Sequence, residues 1–127
     1  MHRGRGLLVC DDMRDFLNYA GKLKAIGYEV VLCDTYDEGA RRLALEDFDF
    51  VVVNQGGANF EGKNILELAM NLPRPMPVLV VAGAVNIQNY LEAMELGAVD
   101  YLERPEFEDL RWTLETQLRR IQPLGHA

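Results

Sequence analysis

The sequence predicts an alternating α/β domain built on a parallel sheet. Three observations carry that expectation: apolar runs take turns with amphipathic segments along the whole chain, the runs are continuous where covered strands need them, and glycine or proline marks many of the junctions. With 127 residues the chain is long enough to bury one core without staples, so one fold and one site are expected.

Five strands and five helices can be placed. The first strand, Gly6 to Cys10, is a continuous apolar run that ends abruptly in Asp11-Asp12. A helix follows, with Phe16, Tyr19, Ala20, Leu23 and Ile26 at spacings of three or four, and Gly27 supplies the left-handed residue that stops it. Strand two is Tyr28 to Cys33. Thr35-Tyr36-Asp37-Glu38 reads as a capping box, so the second helix starts near Tyr36 and buries Ala40, Leu43 and Ala44. Strand three, Phe48 to Val53, is β-branched and ends at Asn54. Gln55 to Lys63 holds three glycines and reads as a loop before a short helix from Asn64 to about Leu72. Pro73, Pro75 and Pro77 break that helix and lead into strand four, Val78 to Ala82. The fourth helix, about Asn86 to Leu96, stops at Gly97, and Val99 to Glu103 makes a fifth strand closed by Arg104-Pro105. Phe107, Leu110, Leu114, Leu118 and Ile121 line one face of the last helix, which Pro123 limits. Residues 1–122 are read as the domain and 123–127 as a tail or the start of a linker.

Composition excludes several classes. Apolar residues make up 49% and charged residues 26%, an ordinary globular balance. The longest apolar runs fall far short of the roughly 20 residues of a membrane helix, and the amino terminus shows no signal-peptide core, so a cytoplasmic protein is expected. A net charge of −7 opposes direct nucleic-acid binding, and Arg41-Arg42 and Arg119-Arg120 read as solvated helix faces. Cys10 and Cys33, without CxxC or histidine spacing, read as reduced core thiols.

Open parallel sheets place ligand sites beyond the carboxyl ends of their strands. Those ends carry Asp11 and Asp12, Asn54, Ala82 and Arg104. Two adjacent carboxylates suit a hard cation such as magnesium, or else are solvated loop acids, and Asp12 also suits a helix cap.

From Leu7 to Ile121 the chain resembles the CheY-like receiver domain of response regulators. The apolar strand ending in Asp11-Asp12 matches, as does Phe48-Asp49-Phe50-Val51-Val52-Val53-Asn54, which resembles the strand leading to the family's phosphoacceptor. Glu61-Gly62 falls at the family's Asp-Gly, and Gly97-Ala98-Val99-Asp100-Tyr101-Leu102-Glu103-Arg104-Pro105 resembles Gly-Ala-x-x-Tyr-Leu-x-Lys-Pro. The resemblance implies a flavodoxin-like (βα)5 doubly wound sandwich with a five-stranded parallel sheet in the order 2-1-3-4-5.

A working receiver, by that resemblance, uses an acidic pair for magnesium, an aspartate nucleophile, a hydroxyl-bearing residue, an aromatic switch and a lysine. Asp11, Asp12 and Tyr101 keep the pair and the aromatic, whereas Asn54 stands for the phosphoacceptor, Ala82 for the hydroxyl and Arg104 for the lysine. A neutral amide is a far weaker nucleophile than a carboxylate and removes charge from the metal site. Ala82 leaves phosphate and Tyr101 without a middle link. Arg104 is expected to hold Asp11 or Asp12 with its planar fork, which predicts a self-neutralised pocket and weak or absent magnesium binding. Gly56-Gly57, where the family commonly has Met-Pro, predicts a more flexible loop, and the resemblance allows a cis Arg104-Pro105 bond.

The expectation is therefore a degenerate receiver, neither enzyme nor cofactor carrier, that acts by protein contacts. Its partner or output domain, or a second copy, would meet the face of helix four, strand five and helix five, with Asn86, Tyr90, Tyr101, Arg111 and Trp112 as candidates. A transcriptional regulator is the expected parent. Two alternatives stay open: a flavodoxin-like small-ligand domain, which lacks a phosphate-cradling loop here, and a receiver phosphorylated on Asp11 or Asp12.

Overall fold

The computed structural model describes residues 3–74 and 76–121. Strands and helices alternate without exception: β1 (Gly4–Val9), α1 (Met13–Ala25), β2 (Tyr28–Cys33), α2 (Tyr36–Leu45), β3 (Phe50–Asn54), α3 (Lys63–Met70), β4 (Val78–Ala82), α4 (Ile87–Leu96), β5 (Asp100–Glu103) and α5 (Phe107–Ile121). All neighbouring strands are parallel and the sheet order is β2-β1-β3-β4-β5. The fold is thus the flavodoxin-like arrangement expected, with the order reversing between β1 and β3.

Strand residues of period two send side chains to opposite faces, so the continuous runs feed two cores. Leu7, Val9, Val51, Val53, Val80 and Tyr101 join one core with residues of α2, α3 and α4. Leu8, Cys10, Phe50, Val52, Leu79 and Val81 join the other with α1 and α5. Each fully buried Leu, Val or Phe contributes roughly 1.5–3 kcal/mol relative to an exposed one, which fixes register as well as stability. Cys10 and Cys33 are buried free thiols, and burial together with nearby carboxylates pushes Cys10 up to about 12.

The helix ends follow their capping chemistry. Gly27 and Gly97 carry φ of 108° and 110°, the left-handed geometry that ends α1 and α4. Thr35 Oγ1 accepts from Glu38 N at 3.1 Å. The return half of the expected box is absent among the described residues, because the Glu38 carboxylate takes the Arg41 guanidinium at 2.9 and 2.7 Å instead. On α2 the expected buried stripe is also displaced: Gly39 and Leu43 are buried and Ala44 is exposed. Gly39 approaches β1 so closely that a Cβ there would lie 2.7 Å from the Val9 methyls, and this contact sets the helix rotation. Pro75, Pro123 and the tail beyond residue 121 lie outside the described residues.

Candidate functional site

The loop after β1 places the two aspartates differently. Asp12 is the N-cap of α1, accepting from Arg14 N at 3.1 Å. The Arg14 guanidinium then closes on both carboxylate oxygens, with Nη2 2.6 Å from Oδ2. These bonds hold the Asp12 carboxyl down at about 2. Asp11 is exposed beside the half-buried Tyr36, whose hydroxyl donates to Asn54 O at 3.2 Å. Burial first, then the charges of Asp11 and Glu61, raise the Tyr36 phenol above its usual range.

Asp12, Arg14, Asp15, Asn54, Gly83 and Arg104 line one open depression of about 350 Å³ over the carboxyl ends of the strands. The expected neighbours Asp12, Asn54 and Arg104 thus do converge. The expected pairing does not: Asp12 is held by Arg14, and among the described residues Arg104 makes no ion pair with Asp11 or Asp12. The reason is local. Arg14 sits two residues from its partner on an already ordered helix turn, whereas Arg104 leaves β5 with φ of 40°, its backbone N–H bound to Ala82 O at 2.9 Å. No described peptide bond is cis, Arg104-Pro105 included, and the Tyr19 hydroxyl donates to Pro105 O at 2.6 Å.

Asn54 ends β3 in register with Val81 of β4. Its Oδ1 accepts from Gly56 N at 2.6 Å, forming an Asx turn into the loop. Gly56 has φ of 85°, and the Gly57 N–H is tied to Glu61 Oε1 at 2.6 Å. Gly62 must be glycine here, because its Cβ would lie 2.2 Å from Asn54 O. A magnesium ion would meet an Asp12 already engaged by a guanidinium and an Asn54 oxygen already engaged by a backbone N–H. That donor set suits a hard divalent cation poorly. Among the described residues no group of three His, Cys, Asp or Glu is arranged to hold a metal.

Beneath the depression lies a residue that sequence reasoning left in a loop. Gln55 is 3% exposed, and period two carries its side chain to the same face as Val53. The Tyr101 hydroxyl donates to Gln55 Oε1, and Tyr101 Oη itself accepts from Asn86 N at 3.1 Å. Tyr101, expected on the contact face, is instead buried; its ring meets the Tyr90 ring edge-on at 5.6 Å. Ala82, fully buried at the end of β4, offers it no hydroxyl. The two missed residues, Arg14 and Gln55, left faint signals: a cationic side chain two positions after an N-cap acid, and a polar residue continuing an inward strand position.

Of the other face candidates, Trp112 is 67% exposed, Asn86 caps α4, and Arg111 is half-buried against Glu115 at 3.3 Å. Ile87, Tyr90, Leu91 and Met94 form an exposed apolar stripe along α4.

Comparison with known proteins agrees with this geometry. The Response regulator receiver domain model matches residues 7–115. The transcriptional regulatory protein FixJ of Bradyrhizobium diazoefficiens is 34% identical over 98% of this chain and 62% of its own length. The transcriptional regulatory protein ZraR of Escherichia coli is 29% identical over 88% of the chain and 26% of its own. The chain therefore spans less than two thirds of these relatives. A CheY-like receiver domain from Methanospirillum hungatei superposes with a TM-score of 0.86 at 27% identity, covering 95% of this chain and 98% of that one. Sheet order, site position and family match agree, and the chain belongs to the response regulator receiver domain family.

Proposed function

We propose that this receiver takes no phosphoryl group at residue 54, binds magnesium weakly or not at all, and acts without enzymatic activity by contacting other proteins. The observation that carries the reading is Asn54 at the end of β3, its amide oxygen already bonded to Gly56 N. A carboxylate can attack phosphorus and form an acyl phosphate; an amide is a far weaker nucleophile and brings no charge to hold a cation. Ala82 and the Asp12–Arg14 pair support the same reading, since the first lacks a hydroxyl to follow a phosphoryl oxygen and the second neutralises half of the acidic pair.

The contact surface proposed is the face of α4, β5 and α5, where Ile87, Tyr90, Leu91 and Met94 accompany Trp112. Its occupant would be an output domain, a protein partner or a second copy. Because FixJ and ZraR are transcriptional regulatory proteins, we infer a transcriptional regulator as the setting, with DNA contacted by another domain and not by this acidic chain. No described helix is long and apolar enough to cross a membrane, which accords with a cytoplasmic role.

Incubation with magnesium and acetyl phosphate, followed by intact mass measurement, tests the central point. The expected result is no change. A gain of one phosphoryl group overturns the proposal, and peptide mapping to Asp11 or Asp12 would then identify an unusual phosphorylated receiver.

A further inference from the structure

We propose that Gln55 is a positioning residue that latches Tyr101 and the amino end of α4 to the β3–α3 loop, giving the apolar stripe of α4 one fixed attitude without any phosphoryl group. The inference rests on the phosphate-independent reading above and supplies the means by which such a chain would hold its contact face.

A primary amide 3% exposed inside an apolar core is costly unless bonded. Gln55 is bonded on both levels: its backbone N–H donates to Val81 O at 2.7 Å and its carbonyl accepts from Gly62 N at 3.0 Å, while Oε1 takes the Tyr101 hydroxyl. From there the bonds continue without a charged group. Tyr101 Oη accepts the Asn86 N–H, Asn86 Oδ1 accepts the Asn89 N–H at 3.0 Å, and Asn89 Nδ2 donates to Ala58 O at 3.1 Å. Asn89 is itself buried, at 6% exposure. The path leaves the loop at Gln55 and re-enters it at Ala58, so loop and helix are joined at two points by side chains that cannot be solvated where they stand. Tyr101 also supports the exposed Tyr90 ring, which connects the latch to the surface of α4.

The arrangement fills the position that Ala82 leaves open. Gln55, Ala82 and Tyr101 share one face of the sheet, and the longer side chain of Gln55 reaches the phenol that a hydroxyl on β4 does not meet here. The links from Gln55 through Tyr101, Asn86 and Asn89 to Ala58 contain no ion pair, so the coupling needs no charged group.

Amide hydrogen exchange on the whole, unphosphorylated chain tests the latch, comparing wild type with Gln55→Leu, Tyr101→Phe and the double substitution. Each single change is expected to speed exchange of residues 86–90 and of the 56–60 loop about tenfold, with α1 and β1 protected as in wild type. The double change should act no more strongly than Tyr101→Phe alone, because that change already breaks the bond to Gln55 together with the one from Asn86 N. Wild-type exchange at residues 86–90 in Gln55→Leu, additive effects in the double, or a uniform rise over all elements would each overturn the latch. Should Gln55→Leu fail to fold, Tyr101→Phe decides alone, since it removes one oxygen: faster exchange in the 56–60 loop supports the latch and unchanged exchange there overturns it. No phosphodonor is present, so phosphoryl uptake in the mass experiment would overturn phosphate independence and leave this result standing, and the converse also holds.

Discussion

The two ends of the sheet are held by opposite chemistry. At the amino end Arg5 bridges Glu29 at 2.9 Å and Glu46 at 2.5 Å, Glu46 also takes Arg42, and Arg74 reaches Asp49 at 3.2 Å. These are charges in contact with water and screened by salt. At the carboxyl end the buried and half-buried links are amides and a phenol: Asn54 to Gly56, Gln55 to Tyr101, Asn86 to Asn89, and Asn89 to Ala58. The ionic pairs there, Asp12 with Arg14 and Lys63 with Glu92, lie at the rim, the first with side chains 49% and 88% exposed and the second with 42% and 37% for Glu92 and Lys63. The end that holds the candidate site is thus built to ignore pH and salt in its interior, while the opposite end responds to both.

The largest way to break the carboxyl end is steric. Gly62→Ala would place a methyl 2.2 Å from Asn54 O, backbone that the β3–β4 ladder holds in place. We expect a loss of ~3 kcal/mol in urea unfolding, at the upper side of the overpacking range. Gly83→Ala, with nothing within 4 Å of its Cβ, should change stability by under about 0.5 kcal/mol. Equal costs at the two glycines would refute this account of the loop.

A smaller effect sharpens the contrast. Gln55→Leu leaves the Tyr101 hydroxyl without its acceptor, at a cost of about 1–2 kcal/mol. That cost should be the same in low and high salt. Arg5→Met retains a stem over the Phe48 ring, on which Arg5 now lies at 4.7 Å, and removes only the charge, so its cost should shrink as salt rises. A salt-dependent cost at Gln55 would mean that the interior of the site is ionic after all.

How far the sequence made these ends legible depends on the kind of signal. β2 and β4 fall on their expected residues because Gly27, Pro77 and Gly83 punctuate them sharply, while β3 begins two residues late, at Phe50, where the parallel ladder with Gly6 starts. Asp12, Asn54 and Arg104 converge as strand-end logic requires. Pairing was not legible: an arginine two residues away competes with one across the sheet, and composition cannot rank them. Gln55 was hidden because three glycines nearby make the segment read as loop, although its first residue still keeps the inward period of β3. Tyr101 was misassigned to the surface for the converse reason, since a short strand of alternating polarity does not reveal which face meets α4.

The smallest expected effect separates the ends by pH. The guanidinium groups of Arg42 and Arg5 lower Glu46 from its ordinary 4.5 to about 2. A carboxyl depressed on folding contributes stability that is complete above its unfolded value and lost as pH falls through its folded one. The share due to Glu46 should therefore be full above pH 4.5 and disappear toward pH 2. Asp12, lowered from 3.8 to about 2 by Arg14, adds a slope of the same sign over a narrower window. Thermal unfolding of Glu46→Gln across this range should be flatter than wild type. Asp12→Asn, which keeps the helix cap, should flatten it less, because its pair is the more exposed. Gln55→Leu should lower Tm at every pH and keep the wild-type slope, since it removes an amide–hydroxyl bond and leaves the Glu46 and Asp12 ion pairs in place. A Gln55→Leu curve that flattens as Glu46→Gln does would show that the two ends are not chemically distinct.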